Sequence, residues 1–254
     1  MESVNLTRDE FNKNSIIFDN GFESKVFIYS SNEKEVVIKM YYDSDQINID
    51  KIKKVGEIKS DILVVPKKLV SIDNEIIGYS MNYKKNYYPI RIMKKILSEE
   101  EKIDILMKLR KEIINLRNQN CIYGDLNLNN IITNGSEVCL CDSVNIKIGE
   151  YNFDEINSTM YKYRELKDTL EGIDCYMLNL LTIYLLNDIE YEEIIDFIEN
   201  ILTMEFNKKE CPIYAGINSN QECKNICYEM ISEDISKNFL IDYINKEKEK
   251  QFNC

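Results

Sequence analysis

The sequence predicts an α+β fold in which a β-rich first third precedes a helical remainder. Three short apolar runs, at 16–18, 26–29 and 36–40, have the length and β-branched composition of strands in a small antiparallel sheet. Farther along the chain the apolar residues recur at helical spacing instead. We therefore expect a β-rich lobe over residues 1–82 and a larger, mostly helical lobe over residues 83–254, with a cleft between them.

One helix is expected within the first lobe, after the third strand. The segment 43–45 can supply its cap, and four apolar residues recur at helical spacing: Ile49, Ile52, Val55 and Ile58. The strand pattern then resumes at 69–71 and, after a turn, at 76–81. These segments complete the sheet.

Helical signals dominate the second lobe. Ser98 and Glu101 have the spacing of a capping box, and the helix that follows carries one apolar stripe: Ile103, Leu106, Leu109, Ile113 and Leu116. The segment from Asp174 to Leu186 is apolar nearly all round, which predicts a helix buried at the centre of the lobe. A further helix is indicated by Ile194, Ile198, Ile201 and Leu202.

The charge balance disfavours two classes of partner. The 254 residues include 32 basic and 44 acidic side chains, for a net charge of -12. Such a chain repels phosphate backbones and anionic bilayers, so we expect no nucleic acid and no membrane among its partners. No apolar stretch approaches the roughly 18 residues that a membrane span needs.

The absence of histidine restricts the available chemistry. It excludes Ser-His and Cys-His nucleophiles and His-ligated zinc, so acid and base roles fall to carboxylates or lysine. No two of the eight cysteines form a C-x-x-C motif. This pattern favours buried free thiols in a reducing cytoplasm. The best candidate for a metal site is the pair Cys223 and Cys227, one helical turn apart, with Cys211 upstream, but a fourth ligand and the usual spacing are missing.

The residues with the clearest chemical pattern follow the first long helix. Asp125 and Asn130 form a D-x-x-x-x-N motif, and Asp142 lies in a Leu-Cys-Asp segment twelve residues after Asn130. A loop aspartate can orient an attacking hydroxyl while an asparagine folded back beside it offers an oxygen to Mg²⁺.

This arrangement resembles the catalytic and metal-binding loops of the protein-kinase-like superfamily. The resemblance covers residues of about 14 to 205 and implies a bilobal kinase-like fold with ATP and Mg²⁺ as cofactors. It implies that Lys39, in a V-V-I-K segment, holds the α and β phosphates, that Asp125 is catalytic, and that Asn130 and Asp142 bind the metal. It implies further contributions to the nucleotide site from Gly21, Ser24, Val26, Glu57 and Met81.

Two details of the resemblance are specific to individual side chains. Glu57 is expected on the helix of the first lobe as the partner of Lys39. Asp174 resembles the buried aspartate that holds the backbone of the catalytic loop in this fold.

The departures from the family pattern leave three functions open. Gly124 replaces the arginine that precedes the catalytic aspartate in regulated protein kinases, and Asn127 replaces a phosphate-contacting lysine. We expect an ATP- and Mg²⁺-dependent kinase that phosphorylates Ser or Thr hydroxyls of a protein. The alternatives are a small-molecule kinase of the aminoglycoside or choline type and a pseudokinase that serves as an interaction module.

Overall fold

A computed structural model of the chain describes residues 1–21, 23–31, 34–187 and 190–202. Over these ranges the protein is a mixed α/β structure, with one six-stranded sheet on the N-terminal side and most helices in the remainder. This agrees with the α+β class predicted from the sequence.

The six-stranded sheet is formed by the first 82 residues in the spatial order β1-β5-β6-β4-β3-β2. Its strands are β1 (Glu2–Leu6), β2 (Ser15–Asn20), β3 (Ser24–Ser31), β4 (Lys34–Tyr41), β5 (Lys68–Ile72) and β6 (Glu75–Asn82). Four of the five neighbouring pairs are antiparallel, whereas β1 pairs with β5 in parallel. The prediction of an antiparallel sheet is therefore wrong at this edge, where the sequence pattern does not predict β1.

Two helices accompany the sheet, α1 (Arg8–Asn14) and α2 (Ile49–Val55). The helix predicted after the third predicted strand is α2, but its cap is Asn48, whose side chain accepts from the backbone N–H of Lys51. The expected cap segment forms a separate 3₁₀ turn, Ser44–Gln46, where the carboxylate of Asp43 accepts from the N–H of Asp45.

The helix α2 ends earlier than the apolar spacing predicts. Gly56 stands at its C-terminus, and a Cβ there would lie 2.3 Å from the Met1 side chain and 2.9 Å from the carbonyl oxygen of Pro66. Ile52 and Val55 are buried on the helix, while Ile58 is buried beyond its end. The spacing therefore identified core positions correctly and overestimated the length of the helix.

The rest of the described chain consists mainly of helices joined by short strands. The helices are α3 (Ile90–Met93), α4 (Glu99–Asn118), α5 (Ser158–Lys167), α6 (Ile173–Leu186) and α7 (Tyr191–Leu202). The strands are β7 (Tyr88–Pro89), β8 (Cys121–Ile122), β9 (Ile131–Thr133), β10 (Val138–Leu140) and β11 (Lys147–Ile148). In the part of the chain just outlined, no helix is both long and apolar enough to cross a membrane.

The largest hydrophobic core packs α4 against α6 and the short strands. The capping box of Ser98 and Glu101 is confirmed, with both reciprocal hydrogen bonds present. The stripe on α4 is buried from Leu106 onwards, and α6 is buried from Ile173 to Leu185. These two helices support β8 and the loop that follows it, which carries the D-x-x-x-x-N motif.

The four cysteines within the described ranges are free thiols: Cys121, Cys139, Cys141 and Cys175. The candidate metal cysteines, Cys211, Cys223 and Cys227, lie outside the described residues.

Candidate active site

A buried carboxylate at the start of α6 fixes the backbone of the loop after β8. Asp174 is fully buried, and its oxygens accept from the backbone N–H of Tyr123 at 2.9 Å and of Gly124 at 2.6 Å. Burial raises the pKa of Asp174, and the two backbone hydrogen bonds oppose that shift. The expected contact between Asp174 and this loop is confirmed, and it fixes the backbone immediately before Asp125.

The carboxylate of Asp125 is held by three side-chain amides. Nδ2 of Asn127 and Nδ2 of Asn157 donate to Oδ1 at 2.9 Å and 2.7 Å. Nδ2 of Asn130 donates to Oδ2 at 2.6 Å. Burial raises the pKa of Asp125, while the amide donors favour its ionised form and oppose the shift. The carboxylate is thus fixed in one orientation by neutral donors on both oxygens.

The turn between Asp125 and Asn130 is closed by Asn127. Its Oδ1 accepts from the backbone N–H of Asn129 at 2.9 Å and of Asn130 at 3.0 Å, in the manner of an Asx turn. Asn130 is thereby folded back beside Asp125, as the five-residue spacing predicts. Since the nitrogen of the Asn130 amide faces Asp125, its oxygen is available to a different ligand.

Lys39 and Asp142 form an ion pair between the sheet and the segment after β10. Nζ of Lys39 donates to Oδ1 of Asp142, and the two side chains are 16% and 38% exposed. Burial lowers the pKa of Lys39, but the charge of Asp142, the hydrogen bond to Asp142 and the nearby Tyr41 and Glu23 together outweigh it, and the net shift is upward. Lys39 is therefore held as a cation in a largely desolvated position.

Backbone hydrogen bonds bring this ion pair to the D-x-x-x-x-N loop. The N–H of Cys141 donates to the carbonyl oxygen of Asn130 at 2.8 Å, which places Asp142 next to that loop. The residue after Asp142 is also fixed, because the hydroxyl of Ser143 donates to the carbonyl oxygen of Val64 at 2.8 Å. The D-x-x-x-x-N residues Asp125 and Asn130 are thus connected with Lys39 and Asp142, which come from two other segments of the chain.

The strand residues assigned to the nucleotide site fall on one face of the sheet. Val26 is in register with Lys39, and Met81 is in register with Val37, two residues before Lys39. Because side chains alternate along a strand, Val26, Lys39 and Met81 share a face. Gly21 forms the turn between β2 and β3, where its N–H donates to the carbonyl oxygen of Ser24 at 2.9 Å.

The expected pairing of Glu57 with Lys39 is not what the structure has. Glu57 follows Gly56, beyond the end of α2, and its side chain is exposed. The ion-pair partner of Lys39 is Asp142 instead. The misassignment arises from the length of the helix, because α2 ends at Val55 and leaves Glu57 outside it.

Asn157 is a site residue that the sequence did not reveal. Its Oδ1 caps α5 by accepting from the backbone N–H of Met160 at 2.9 Å, and its Nδ2 reaches Asp125. An asparagine followed by Ser158 and Thr159 is a recognisable helix start. Nothing local indicates that its amide meets a carboxylate 32 residues earlier.

The chain was compared with known proteins by sequence. No protein-family model matches it, and no curated protein matches it.

Proposed function

We propose that the protein is an ATP- and Mg²⁺-dependent phosphotransferase with a bilobal, protein-kinase-like fold, acting on Ser or Thr hydroxyls of a protein. The observation that carries the proposal is the connected set of Lys39, Asp142, Asn130 and Asp125. This set combines a lysine on a strand with two oxygen donors for a metal, from Asp142 and Asn130, and with the fixed carboxylate of Asp125. These are the parts that phosphoryl transfer needs, since its catalysis is mostly positioning and charge stabilisation.

Each side chain has a role that follows from its surroundings. Lys39, held as a cation, binds the α and β phosphates of ATP. Asp125, oriented by its amide donors, accepts a hydrogen bond from the attacking hydroxyl and takes its proton. Val26 and Met81, on the face of the sheet that carries Lys39, contact the nucleotide base.

The side chains of Asp142 and Asn130 offer oxygen donors that suit magnesium. The carboxylate of Asp142 and the amide oxygen of Asn130 are hard ligands, and Mg²⁺ commonly takes one or two carboxylates together with phosphates and water. Over the described residues, no group of three or more His, Cys, Asp or Glu side chains is arranged to hold a metal. When bound there, the ion neutralises charge on the transferred phosphoryl group.

Removing either oxygen donor should weaken nucleotide binding only when Mg²⁺ is present. We expect Asp142→Asn and Asn130→Ala each to lower the affinity for ATP by about tenfold or more in Mg²⁺, because each deletes a hard ligand. Titration calorimetry with Mg²⁺ and with EDTA measures the difference. Asp104→Asn, at an exposed i,i+4 pair on α4, is the matched control and should bind as the parent does. Equal affinity in Mg²⁺ and in EDTA for the parent protein would favour the pseudokinase alternative.

Activity should not depend on phosphorylation of the segment between Asp142 and Asp174. Gly124 has no charge for a phosphate to neutralise, and a Cβ there would lie 2.4 Å from the ring of Phe153. We expect full phosphatase treatment to leave the initial rate intact and Thr159→Ala to change it by less than about threefold, well under about 1 kcal/mol of barrier. Mass spectrometry identifies any phosphosites. A loss of about tenfold or more tied to a site between residues 145 and 165 would contradict this prediction.

A small cationic alcohol is the second candidate acceptor. Its support is a pair of carboxyl groups, Glu23 from the turn before β3 and Glu155 from the loop before α5. A hydrogen bond to Glu23 together with burial raises the pKa of Glu155. The charge of Asp142 raises this pKa further, and the charge of Lys39 lowers it. Two neighbouring carboxyl groups of this kind would attract an ammonium group.

A substrate survey distinguishes the two acceptors. Labelled ATP is offered with generic proteins, with the protein alone, and with amino-sugars or choline-like alcohols. Transfer to protein Ser or Thr supports the first proposal, and transfer only to the small cations supports the second. Binding of ATP with no transfer to any of them would contradict both and favour the interaction module.

A further inference from the structure

One lysine of α2 is buried and its side chain contacts the loop of residues 149–157. The side chain of Lys51 is 1% exposed. Its Nζ donates to the carbonyl oxygen of Asn152 at 2.7 Å and pairs with Oδ1 of Asp154 at 2.8 Å. A buried ammonium group is retained only where such partners compensate for its lost hydration. Lys51 therefore joins α2 to this loop through a buried hydrogen bond and an ion pair.

The other lysines of α2 differ from Lys51 in exposure. Lys53 and Lys54 are 45% and 39% exposed, and Lys54 pairs with Glu150 at 2.9 Å. Exposed pairs of this kind contribute little to stability. Lys54 thus touches the same loop from the same helix without being buried, which makes it a natural control.

The loop that Lys51 holds, residues 149–157, leads directly to the carboxylate of Asp125. Oδ1 of Asn145, three residues after Asp142, accepts from the backbone N–H of Asp154 at 2.8 Å and of Glu155 at 2.9 Å. Two residues farther on, the amide of Asn157 donates to Asp125 at 2.7 Å. The contacts therefore run from Lys51 through the 149–157 loop to Asp125.

We propose that Lys51 is a positioning residue that holds the 149–157 loop against α2 and so keeps Asn157 on the carboxylate of Asp125. Side-chain contacts present in the unmodified chain then order this loop, without a phosphate group. The inference rests on the proposed function, because orienting Asp125 affects turnover only if Asp125 takes part in the transfer. The ordering of the loop can be measured separately from activity.

The test compares Lys51→Met with Lys54→Met in the full-length protein. Methionine keeps the apolar stem of Lys51 and removes the charge, so the buried site stays filled. Amide hydrogen exchange reports the loop through the N–H groups of Asp154 and Glu155. We expect Lys51→Met to lose protection in peptides covering 149–157 by about tenfold or more, and Lys54→Met to retain it.

Steady-state kinetics provides the second measurement. We expect Lys51→Met to lower kcat by about tenfold with the KM for ATP nearly unchanged, because Lys39 and the metal ligands keep their places. Lys54→Met should keep both constants. Should Lys51→Met fail to fold, Asp154→Asn weakens the same pair by removing the partner's charge, and it is expected to move both measurements in the same direction.

The two measurements separate the possible failures. The proposal would be overturned if Lys51→Met left the protection of the loop unchanged. If Lys51→Met does not fold, the same result in Asp154→Asn would overturn it. Lost protection with unchanged kcat would overturn the positioning role. A parent protein that transfers no phosphate while the loop still depends on Lys51 would refute the proposed function and leave only the structural contact.

Discussion

Asp125→Asn is expected to lower turnover by about two to four orders of magnitude while leaving the affinity for ATP largely intact. Both oxygens of the Asp125 carboxylate accept hydrogen bonds from side-chain amides. An asparagine offers one oxygen and an NH₂ group, so at least one of these donors loses its acceptor, and the group can no longer take a proton. Lys39 and Asp142 are untouched, which is why nucleotide binding should persist.

The measurement for this variant is a single-turnover rate together with calorimetric binding of ATP. Thermal unfolding confirms that the variant is folded. Asp104→Asn again serves as the control for an Asp to Asn change at an exposed position and should keep the parent rate. Turnover equal to that of the parent would remove Asp125 from the mechanism.

Asp174→Ala is expected to lower the free energy of unfolding by roughly 2–5 kcal/mol. The change leaves the buried N–H groups of Tyr123 and Gly124 without acceptors, and each such group costs about 1–3 kcal/mol. It also removes a buried carboxylate whose pKa burial raises, which offsets part of the loss. Asp174→Asn retains one acceptor oxygen, so we expect an intermediate effect.

Denaturant unfolding measures these differences against a matched change in the same helix. Thr182 is buried on α6, and its hydroxyl donates only to the carbonyl oxygen of Leu178 one turn earlier. Thr182→Val keeps the shape of the side chain and leaves no backbone N–H unpaired, so it should cost under about 1 kcal/mol. If Asp174→Ala were no more harmful than Thr182→Val, the anchoring of the loop by Asp174 would be refuted.

The parts of the site that the sequence predicted are those set by short spacing or by strong periodicity. The return of Asn130 to Asp125 takes place within one turn, and its geometry depends on Asn127 between them. The burial of Asp174 follows from the apolar helix around it, since a carboxylate there must find hydrogen-bond donors. The capping box of α4 is equally local.

The parts that the sequence did not predict depend on contacts between distant segments. Lys51 looks like any lysine on a short amphipathic helix, and only its packing against the 149–157 loop buries it. Against the kinase pattern Gly124 replaces an arginine, whereas its φ of +74° and the nearby Phe153 ring give a steric reason for glycine. The strand β1 was missed because its parallel partner, β5, lies more than 60 residues away.

The most direct test of the account is the transfer of labelled γ-phosphate from ATP by the wild-type protein, assayed with Mg²⁺ and with EDTA. The account predicts label on Ser or Thr residues of a protein acceptor, dependent on Mg²⁺ and lost in Asp125→Asn. ATP bound equally well in Mg²⁺ and in EDTA, with no label on any protein or small-molecule acceptor, would contradict it.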